Sequence, residues 1–330
     1  MIQKNLHSQM RFNLNLISRY RTELMGLATI GIILCHTKAN GVIMPDWLWQ
    51  IFSLGSTGTA IFFFLSGVGI WHSLQKIKFE KREILSWYYK RYKKLFVPFL
   101  ILAIPFFAYT TISGGHGFWY FLFRVSTLEY WVSVKGAWFI SVIVVVYLIS
   151  PWWDWLIRKT GMNLLLSTIA FLFILCTNIE ILHPCRLCFY FLGFGIAPYV
   201  KKGLTIRYIP LLACSMLLYF ICSLVPKLDF IPRYIFLVPI FIILPCILFD
   251  TKWFGKTNNV WRFMGTVSLE SYLTNIFLPA FFIHAAWIHN HPILGYGNYI
   301  GYLLVIVVGI ILSVLVHKLS DSILSQKQNS

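Results

Sequence analysis

The stretch RTELMGLATIGIILCHTKAN, residues Arg21–Asn40, is a run of apolar and small residues that ends shortly after a histidine, His36. An α-helix rises about 1.5 Å per residue, so a run of roughly 20 residues is long enough to cross the hydrocarbon layer of a bilayer. Similar runs recur along the chain, separated by short polar segments. This repetition predicts an all-α, polytopic membrane helical bundle, since a helix satisfies its own backbone hydrogen bonds in lipid.

The overall composition also indicates a membrane protein. Of the 330 residues, 58% are hydrophobic and only 12% are charged, whereas soluble domains carry about 25% charged residues. The apolar runs predict ten transmembrane helices, at about 22–40, 47–73, 95–112, 136–157, 164–182, 186–199, 208–225, 232–250, 263–286 and 297–318. Ten spans leave no room for a separate soluble domain.

The net charge of +17 is distributed unevenly along the chain. Segments on one side of the predicted bundle (1–23, 74–94, 158–163, 200–207, 251–262 and 318–330) contain 22 of the 28 lysines and arginines. Because lysine and arginine concentrate in cytoplasmic loops, this pattern predicts that both termini are cytoplasmic. Topology thus explains the charge, and we expect no nucleic acid partner. The polar, basic N-terminus also predicts that there is no cleaved signal peptide.

A few ionisable residues fall deep within the predicted spans, where charge is costly and therefore often functional. They are His36, Glu180, Arg186, Glu270 and His284. Helical geometry places His36 and Arg21 on one broad face of the first span, with Glu23 on a different face. A histidine in this position suits a general base. It suits equally a hydrogen bond to a neighbouring helix, and the spacing alone leaves both interpretations open.

The densest positive charge lies in KIKFEKREILSWYYKRYKKLFVP, residues 76–98. Within it, Arg91 and Lys94 are three residues apart, which places them on one face of a helix. Such a pair suits anionic membrane lipids at the bilayer surface. It suits equally the phosphate groups of a cytosolic donor molecule, and the sequence does not separate these two ligands.

Six segments, in order from residue 21 to residue 277, carry a resemblance to a known family. They are RTELMGLATIGIILCHT, GSTGTAIFFFLSG, YYKRYKKLFVPF, GAWFISVIVVVYLISP, FYFLGFGI and MGTVSLESYLTNIF. In type and order they resemble the acyltransferase family 3 membrane proteins, the O-acyltransferases of surface polysaccharides and related acceptors. The resemblance implies a multi-pass enzyme of the cell inner membrane that transfers acetyl from cytosolic acetyl-CoA to a hydroxyl of a cell-surface or lipid-linked glycan, without a metal.

The resemblance also implies roles for particular residues. His36 is expected to act as general base or acyl carrier, and Arg91 and Lys94 are expected to contact the phosphates of the donor. Arg21 and Glu23 are supporting groups at the inner mouth of the bundle. Lesser candidates, each of which suits helix packing equally well, are Ser66, Trp138, Ser268, Glu270 and Tyr272.

The chain departs from the family pattern at three positions. Where the family usually has an arginine, eleven residues before the histidine, this chain has Met25, so we expect another helix to position His36. Lys94 stands where a second arginine is common, and it lacks the bidentate geometry of a guanidinium group. Asn275 stands where the family often has a histidine, which removes one candidate base.

These inferences predict a cytoplasmic tail over 1–21, a ten-helix membrane acyltransferase domain over 22–319 and a second cytoplasmic tail over 320–330. The aromatic segment 113–135 is expected to lie at the membrane interface, with a glycan site as the alternative. The competing hypothesis for the whole chain is a transporter or flippase of a glycan or lipid precursor. That protein would use His36 and Glu270 as a proton relay and would not depend on acetyl-CoA.

Overall fold

In the computed structural model the chain is almost entirely helical. The structure describes residues 11–134, 136–177, 184–225, 233–251, 258–284, 291 and 298–326. The chain divides into two compact units. The first unit contains residues 1–32, 54–76 and 154–266, and the second contains residues 33–53, 77–153 and 267–330.

The first unit consists of helices and one short β-ribbon. Its elements are β1 (Arg11–Asn13), α1 (Asn15–Arg19), most of α2 (Arg21–Cys35), α4 (Thr57–Leu74), the end of α8 (Trp138–Thr160), α9 (Asn163–Cys176), α10 (Pro184–Lys202), β2 (Thr205–Arg207), α11 (Tyr208–Leu224), α12 (Val238–Phe249) and α13 (Asn258–Thr266). A short 3₁₀ turn, Arg233–Leu237, precedes α12.

The second unit contains the remaining helices. They are α3 (Asp46–Ser53), α5 (Lys81–Ser113), α6 (Phe118–Val125), α7 (Leu128–Ser133), most of α8, α14 (Ser268–His284) and α15 (Tyr299–Gln326). Helix α14 packs against both α5 and α15. The ring of Phe277 on α14 stacks on Phe106 of α5, with ring centroids 4.8 Å apart, and Thr274 and Ser313 share a hydrogen bond of 3.0 Å between α14 and α15.

Helices α4 and α10 form a close helix pair in the first unit, because glycines lie where the two backbones meet. A Cβ atom added at Gly67 would overlap the carbonyl oxygen of Tyr190, and one added at Gly193 would overlap the carbonyl oxygen of Phe64. Without side chains at these two positions, the helices approach to backbone contact and gain dispersion attraction over their length.

The β-ribbon attaches the start of the described chain to the first unit. Strand β1 pairs antiparallel with β2, in the register Arg11 to Arg207, Phe12 to Ile206 and Asn13 to Thr205. The backbone N–H of Leu14 donates to the carbonyl of Leu204 at 2.9 Å. Residues 11–20, which the sequence assigned to a tail, thus form β1 and α1 within this unit.

Four helical segments among the described residues are long and apolar enough to cross a membrane. They are Asp46–Leu74, Lys81–Ser113, Trp138–Thr160 and Tyr299–Ser325. Shorter apolar helices span Asn163–Cys176, Tyr208–Leu224 and Tyr234–Phe249. The prediction of a helical membrane protein is confirmed, while the number of ten spans and the cytoplasmic termini stay predictions. The aromatic segment 113–135 contains the two short helices α6 and α7.

We expect Gly67→Ala to lower the stability of the protein by about 1–3 kcal/mol, because the new methyl group must push α4 away from α10. The measurement is the thermal unfolding midpoint of the purified protein in detergent. The matched control is Gly117→Ala, since no described atom lies within 4 Å of a Cβ added at Gly117. Equal midpoints for the two variants would contradict this account of the helix pair.

Candidate active site

His36 lies directly after α2, in a turn over residues 36–41. The hydroxyl of Thr37 donates to the carbonyl of Leu34 at 2.8 Å, and the Asn40 side-chain nitrogen donates to the carbonyl of His36 at 2.9 Å. Such side-chain bonds to the backbone compete with helix continuation, and Gly41 completes the turn with a φ of 78°. The helix predicted over 22–40 therefore ends at Cys35.

The side chain of His36 is held from another helix of the second unit. Its Nδ1 atom lies 2.6 Å from the side-chain amide nitrogen of Asn275 on α14. An amide group turned by 180° presents its oxygen instead, so Asn275 can either donate to Nδ1 or accept an Nδ1–H hydrogen bond. In the second arrangement the lone pair of the imidazole is on Nε2. Asn275 therefore holds the imidazole ring of His36 in place, and the orientation of its amide is coupled to the tautomer of the ring.

The backbone before His36 is fixed from α15. The hydroxyl of Tyr302, itself buried, donates to the carbonyl oxygen of Ile33 at 2.9 Å. The same carbonyl accepts the backbone N–H of His36 at 3.3 Å. Two helices, α14 and α15, thus determine where the imidazole lies. This matches the expectation, based on Met25, that another helix positions His36.

Glu270 is buried on α14 and contacts a histidine that the sequence analysis did not single out. Its Oε1 lies 3.0 Å from Nδ1 of His317 on α15, and Nε2 of the same ring lies 3.4 Å from Asp321. Both ring nitrogens of His317 therefore face carboxylates. Glu270 and His317 link α14 to α15, so Glu270 contributes to the packing of these two helices.

Three lesser candidates lie in the second unit near the start of α8 and α14. Tyr272 is buried and packs its ring against Phe139, with centroids 5.0 Å apart. Phe139 in turn contacts Trp138 at 6.0 Å. Ser268 is buried at the beginning of α14. Through its ring contact with Phe139, Tyr272 packs α14 against α8.

Arg21, Glu23 and Ser66 lie in the first unit. The guanidinium of Arg21 donates from Nε to the carbonyl of Leu65 at 3.4 Å and lies against Gly69, where a Cβ would come within 3.1 Å of its nitrogen. Ser66 follows Leu65 on α4 and is partly exposed. Arg21 thus connects α2 with α4 inside this unit.

Glu23 is 1% exposed and forms an ion pair that the sequence did not reveal. Its Oε1 accepts hydrogen bonds from Nη2 and Nε of Arg262 on α13, at 2.7 and 3.0 Å. The side chain of Arg262 is 61% exposed. The pair anchors α13 to α2, because the buried carboxylate needs the guanidinium to offset its lost hydration.

Arg91 and Lys94 lie on α5 in the second unit, at one surface of the helix. The guanidinium of Arg91 lies over the ring of Trp87, 5.7 Å from its centroid, while Lys94 is exposed. The hydroxyl of Tyr92 donates to the carbonyl of Val144 at 3.0 Å and holds α5 against α8. The two cations therefore share a defined, accessible surface.

A family model describes most of the chain. The acyltransferase domain model of acyltransferase family 3 matches residues 24–318. This chain belongs to acyltransferase family 3. No curated protein and no solved structure matches it significantly. The suspected family is confirmed, and the protein is a membrane acyltransferase.

Within this acyltransferase, His36, Asn275, Arg91 and Lys94 all fall inside the region that the family model matches. Arg21 and Glu23 precede it. Among the described residues, no group of three or more histidine, cysteine, aspartate or glutamate side chains is arranged to hold a metal ion. The sequence analysis noted Asn275 only as a missing base. Its position in the segment MGTVSLESYLTNIF marked Asn275 as a residue of interest. Nothing in the sequence indicated that it contacts His36.

We expect Arg262→Ala to destabilise the acyltransferase more than Glu23→Gln. The first change leaves a buried carboxylate without its partner, whereas the second leaves a guanidinium that is already exposed to solvent. The measurement is the unfolding midpoint of each purified variant. The double variant should regain part of the loss caused by Arg262→Ala, and a double variant less stable than both single variants would contradict the assignment.

Proposed function

We propose that this acyltransferase moves an acetyl group from cytosolic acetyl-CoA to a hydroxyl of a cell-surface or lipid-linked glycan, at the inner membrane of the cell. The observation that carries the proposal is the 2.6 Å contact between His36 and Asn275. Transfer from a thioester to a hydroxyl requires a group that accepts the hydroxyl proton. An imidazole whose ring is oriented by a neighbouring amide is suited to that task.

In direct transfer, His36 acts as general base. With the amide oxygen of Asn275 accepting Nδ1–H, the lone pair on Nε2 takes the proton of the acceptor hydroxyl. The hydroxyl oxygen bonds to the thioester carbonyl carbon, the carbon–sulfur bond breaks, and coenzyme A leaves as a thiolate that receives the proton from Nε2. Asn275 keeps the imidazolium oriented throughout. In a Ser-His-Asp triad the aspartate orients the histidine in the same way.

In the acyl-carrier route, the same tautomer makes Nε2 the nucleophile. Nε2 of His36 bonds to the thioester carbon, the carbon–sulfur bond breaks, and coenzyme A leaves as a thiolate. The acceptor hydroxyl then attacks the acetyl group on the ring, the carbon–Nε2 bond breaks, and the hydroxyl proton passes to the thiolate. The two routes differ in whether His36 carries a proton or the acetyl group. Label from acetyl-CoA that stays on the protein when no acceptor is present distinguishes the second route from the first.

The donor is proposed to contact Arg91 and Lys94. Coenzyme A carries several phosphate charges, and guanidinium and ammonium groups are their usual partners in proteins. Trp87 is buried and lies beneath the guanidinium of Arg91, so the cation is held in place before the donor arrives. Lys94, three residues later on α5, offers a second charge on the same surface.

Arg21 and Glu23 are proposed to support the start of α2, through the contacts of Arg21 with α4 and of Glu23 with α13. Ser66, Trp138, Ser268, Glu270 and Tyr272 remain lesser candidates. The aromatic segment has exposed rings at Phe118 and Trp119. An interfacial position explains these rings best, and stacking of the acceptor sugar is the alternative role.

We expect purified protein to transfer label from acetyl-CoA to cell-envelope glycans, and we expect His36→Ala to abolish that transfer while the protein still inserts and purifies normally. Asn275→Ala should lower the rate about tenfold to hundredfold, because the imidazole loses its orientation. Combined with His36→Ala, it should add no further loss, since Asn275 acts through His36.

The matched control for this experiment is His72→Ala, which changes a histidine of α4 that hydrogen-bonds within its own helix. This variant should keep its activity. Transfer retained in His36→Ala would remove His36 from the mechanism. Substrate movement across the membrane without any dependence on acetyl-CoA would favour the transporter hypothesis instead.

We expect Arg91→Ala combined with Lys94→Ala to raise the KM for acetyl-CoA about tenfold or more, with a smaller change in kcat. The reason is that the protein loses two positive charges that contact the donor phosphates. Steady-state kinetics with acetyl-CoA as the varied substrate measures both constants. The control is Lys81→Ala with Arg82→Ala, which removes the same charge from the exposed start of α5. An unchanged KM together with poor membrane insertion would show that Arg91 and Lys94 set the membrane topology and do not bind the donor.

A further inference from the structure

The carbonyl oxygen of Ile33 lies where α2 changes from an α-helix to a tighter turn. In a continuing α-helix this oxygen would accept the backbone N–H of Thr37, four residues later. It accepts the N–H of His36 instead, at 3.3 Å, and the N–H of Thr37 donates to the carbonyl of Leu34 at 3.2 Å. These are bonds of the 3₁₀ type, which have poorer geometry than α-helical bonds. The turn at His36 therefore depends on support from outside the helix.

Tyr302 supplies this support from α15. Its hydroxyl donates to the Ile33 carbonyl at 2.9 Å. The carbonyl oxygen has two lone pairs, and the His36 N–H and the Tyr302 hydroxyl occupy both. Tyr302 is 8% exposed, so its hydroxyl is shielded from competing solvent. Both residues belong to the second unit, as does His36.

Asn40 extends the same hydrogen-bond network to the other side of His36. Its side-chain amide donates to the carbonyl of His36 at 2.9 Å and also to the hydroxyl of Tyr302. An amide nitrogen has two N–H groups, which is enough for both bonds. The carbonyls of Ile33 and His36, the Tyr302 hydroxyl and the Asn40 amide thus form one network, which we call the His36 clamp.

The clamp determines the direction in which the imidazole leaves the backbone. A 3₁₀ turn advances about 120° per residue and an α-helix about 100°, so His36 would rotate by about 20° if α2 continued as a regular helix. A ring nitrogen at the end of the side chain would then move by about 2 Å. A displacement of this size slows a reaction that depends on alignment of the reacting atoms.

We propose that Tyr302 is a positioning residue for acetyl transfer, which acts through His36 together with Asn40. Asn275 holds the imidazole at Nδ1, whereas the clamp holds the backbone from which the ring extends. The inference rests on the proposed function, because it takes His36 as the group that carries the proton or the acetyl group. Neither Tyr302 nor Asn40 contacts the substrates in this proposal.

Tyr302→Phe tests the clamp, since it removes one oxygen atom and keeps the ring. We expect kcat for transfer from acetyl-CoA to fall about tenfold while KM for acetyl-CoA stays within about twofold, because the imidazole loses alignment and the donor contacts are unchanged. Asn40→Ala should have a similar effect from the other side of the network. The double variant should lose little more than either single variant, since both changes break the same network.

A second measurement does not depend on activity. Amide hydrogen exchange of a peptide that covers residues 33–41, followed by mass spectrometry, reports how readily this backbone opens. We expect Tyr302→Phe to raise its exchange rate about fivefold, the factor that corresponds to one lost hydrogen bond. The matched control is Tyr299→Phe, which removes a hydroxyl from an exposed residue one turn earlier on α15. This variant should match the wild type in exchange, kcat and KM.

An unchanged exchange rate in Tyr302→Phe would overturn the clamp. Faster exchange with an unchanged kcat would show that the clamp supports the fold without positioning His36, and the proposal would fall. It would also fall if Tyr299→Phe lost activity equally, or if Asn40→Ala kept the wild-type kcat. Wild-type protein that transfers no acetyl would end the proposed function and the positioning role with it, while the exchange rates would still decide whether the clamp exists.

Discussion

A charge inside a hydrocarbon-rich protein is stable only where an opposite charge or a hydrogen bond meets it, and this constraint organises both units. Glu23 meets Arg262 between α2 and α13, and Asp154 on α8 meets both Arg158 and the Gln75 side chain that follows α4. In the second unit, Arg124 of α6 meets Glu129 of α7 at 3.2 Å and Thr110 of α5 at 2.7 Å. Apolar packing has no preferred direction, whereas each of these contacts fixes how particular elements are arranged within their unit.

The sequence was sufficient for the class and the family. A bilayer span demands a long apolar run, so hydropathy alone predicted helices, and six ordered segments predicted the family that the match over residues 24–318 confirmed. The residue at which the first helix ends was harder to predict from the sequence. Side-chain bonds from Thr37 and Asn40 to the backbone end α2 at Cys35, and hydropathy does not register such bonds. The strand at residues 11–13 was also missed. Its partner strand is almost 200 residues away, and hydropathy does not reveal such pairing.

A single sequence could not predict which residues the buried polar side chains contact. Helical periodicity says which residues share a face, but it does not say which other helix that face will meet. His36 was visible as a candidate, yet Asn275 was noted only for the base it lacks. The structure places the amide of that residue 2.6 Å from the imidazole, so the two side chains contact each other across two helices. The same applies to Glu270, whose partner His317 lies on α15 near the end of the chain.

The distance along the chain between these partners has a consequence for biosynthesis. Glu23 and Arg262 are 239 residues apart, and so are His36 and Asn275. A nascent chain that has exposed α2 to the membrane therefore carries an unneutralised Glu23 and an unoriented imidazole until nearly all of its helices have been made. Both contacts form late, within a short interval of translation, when α13 and α14 emerge. A chain that stops before α13 has neither of them, so these two contacts can stabilise only a nearly complete bundle.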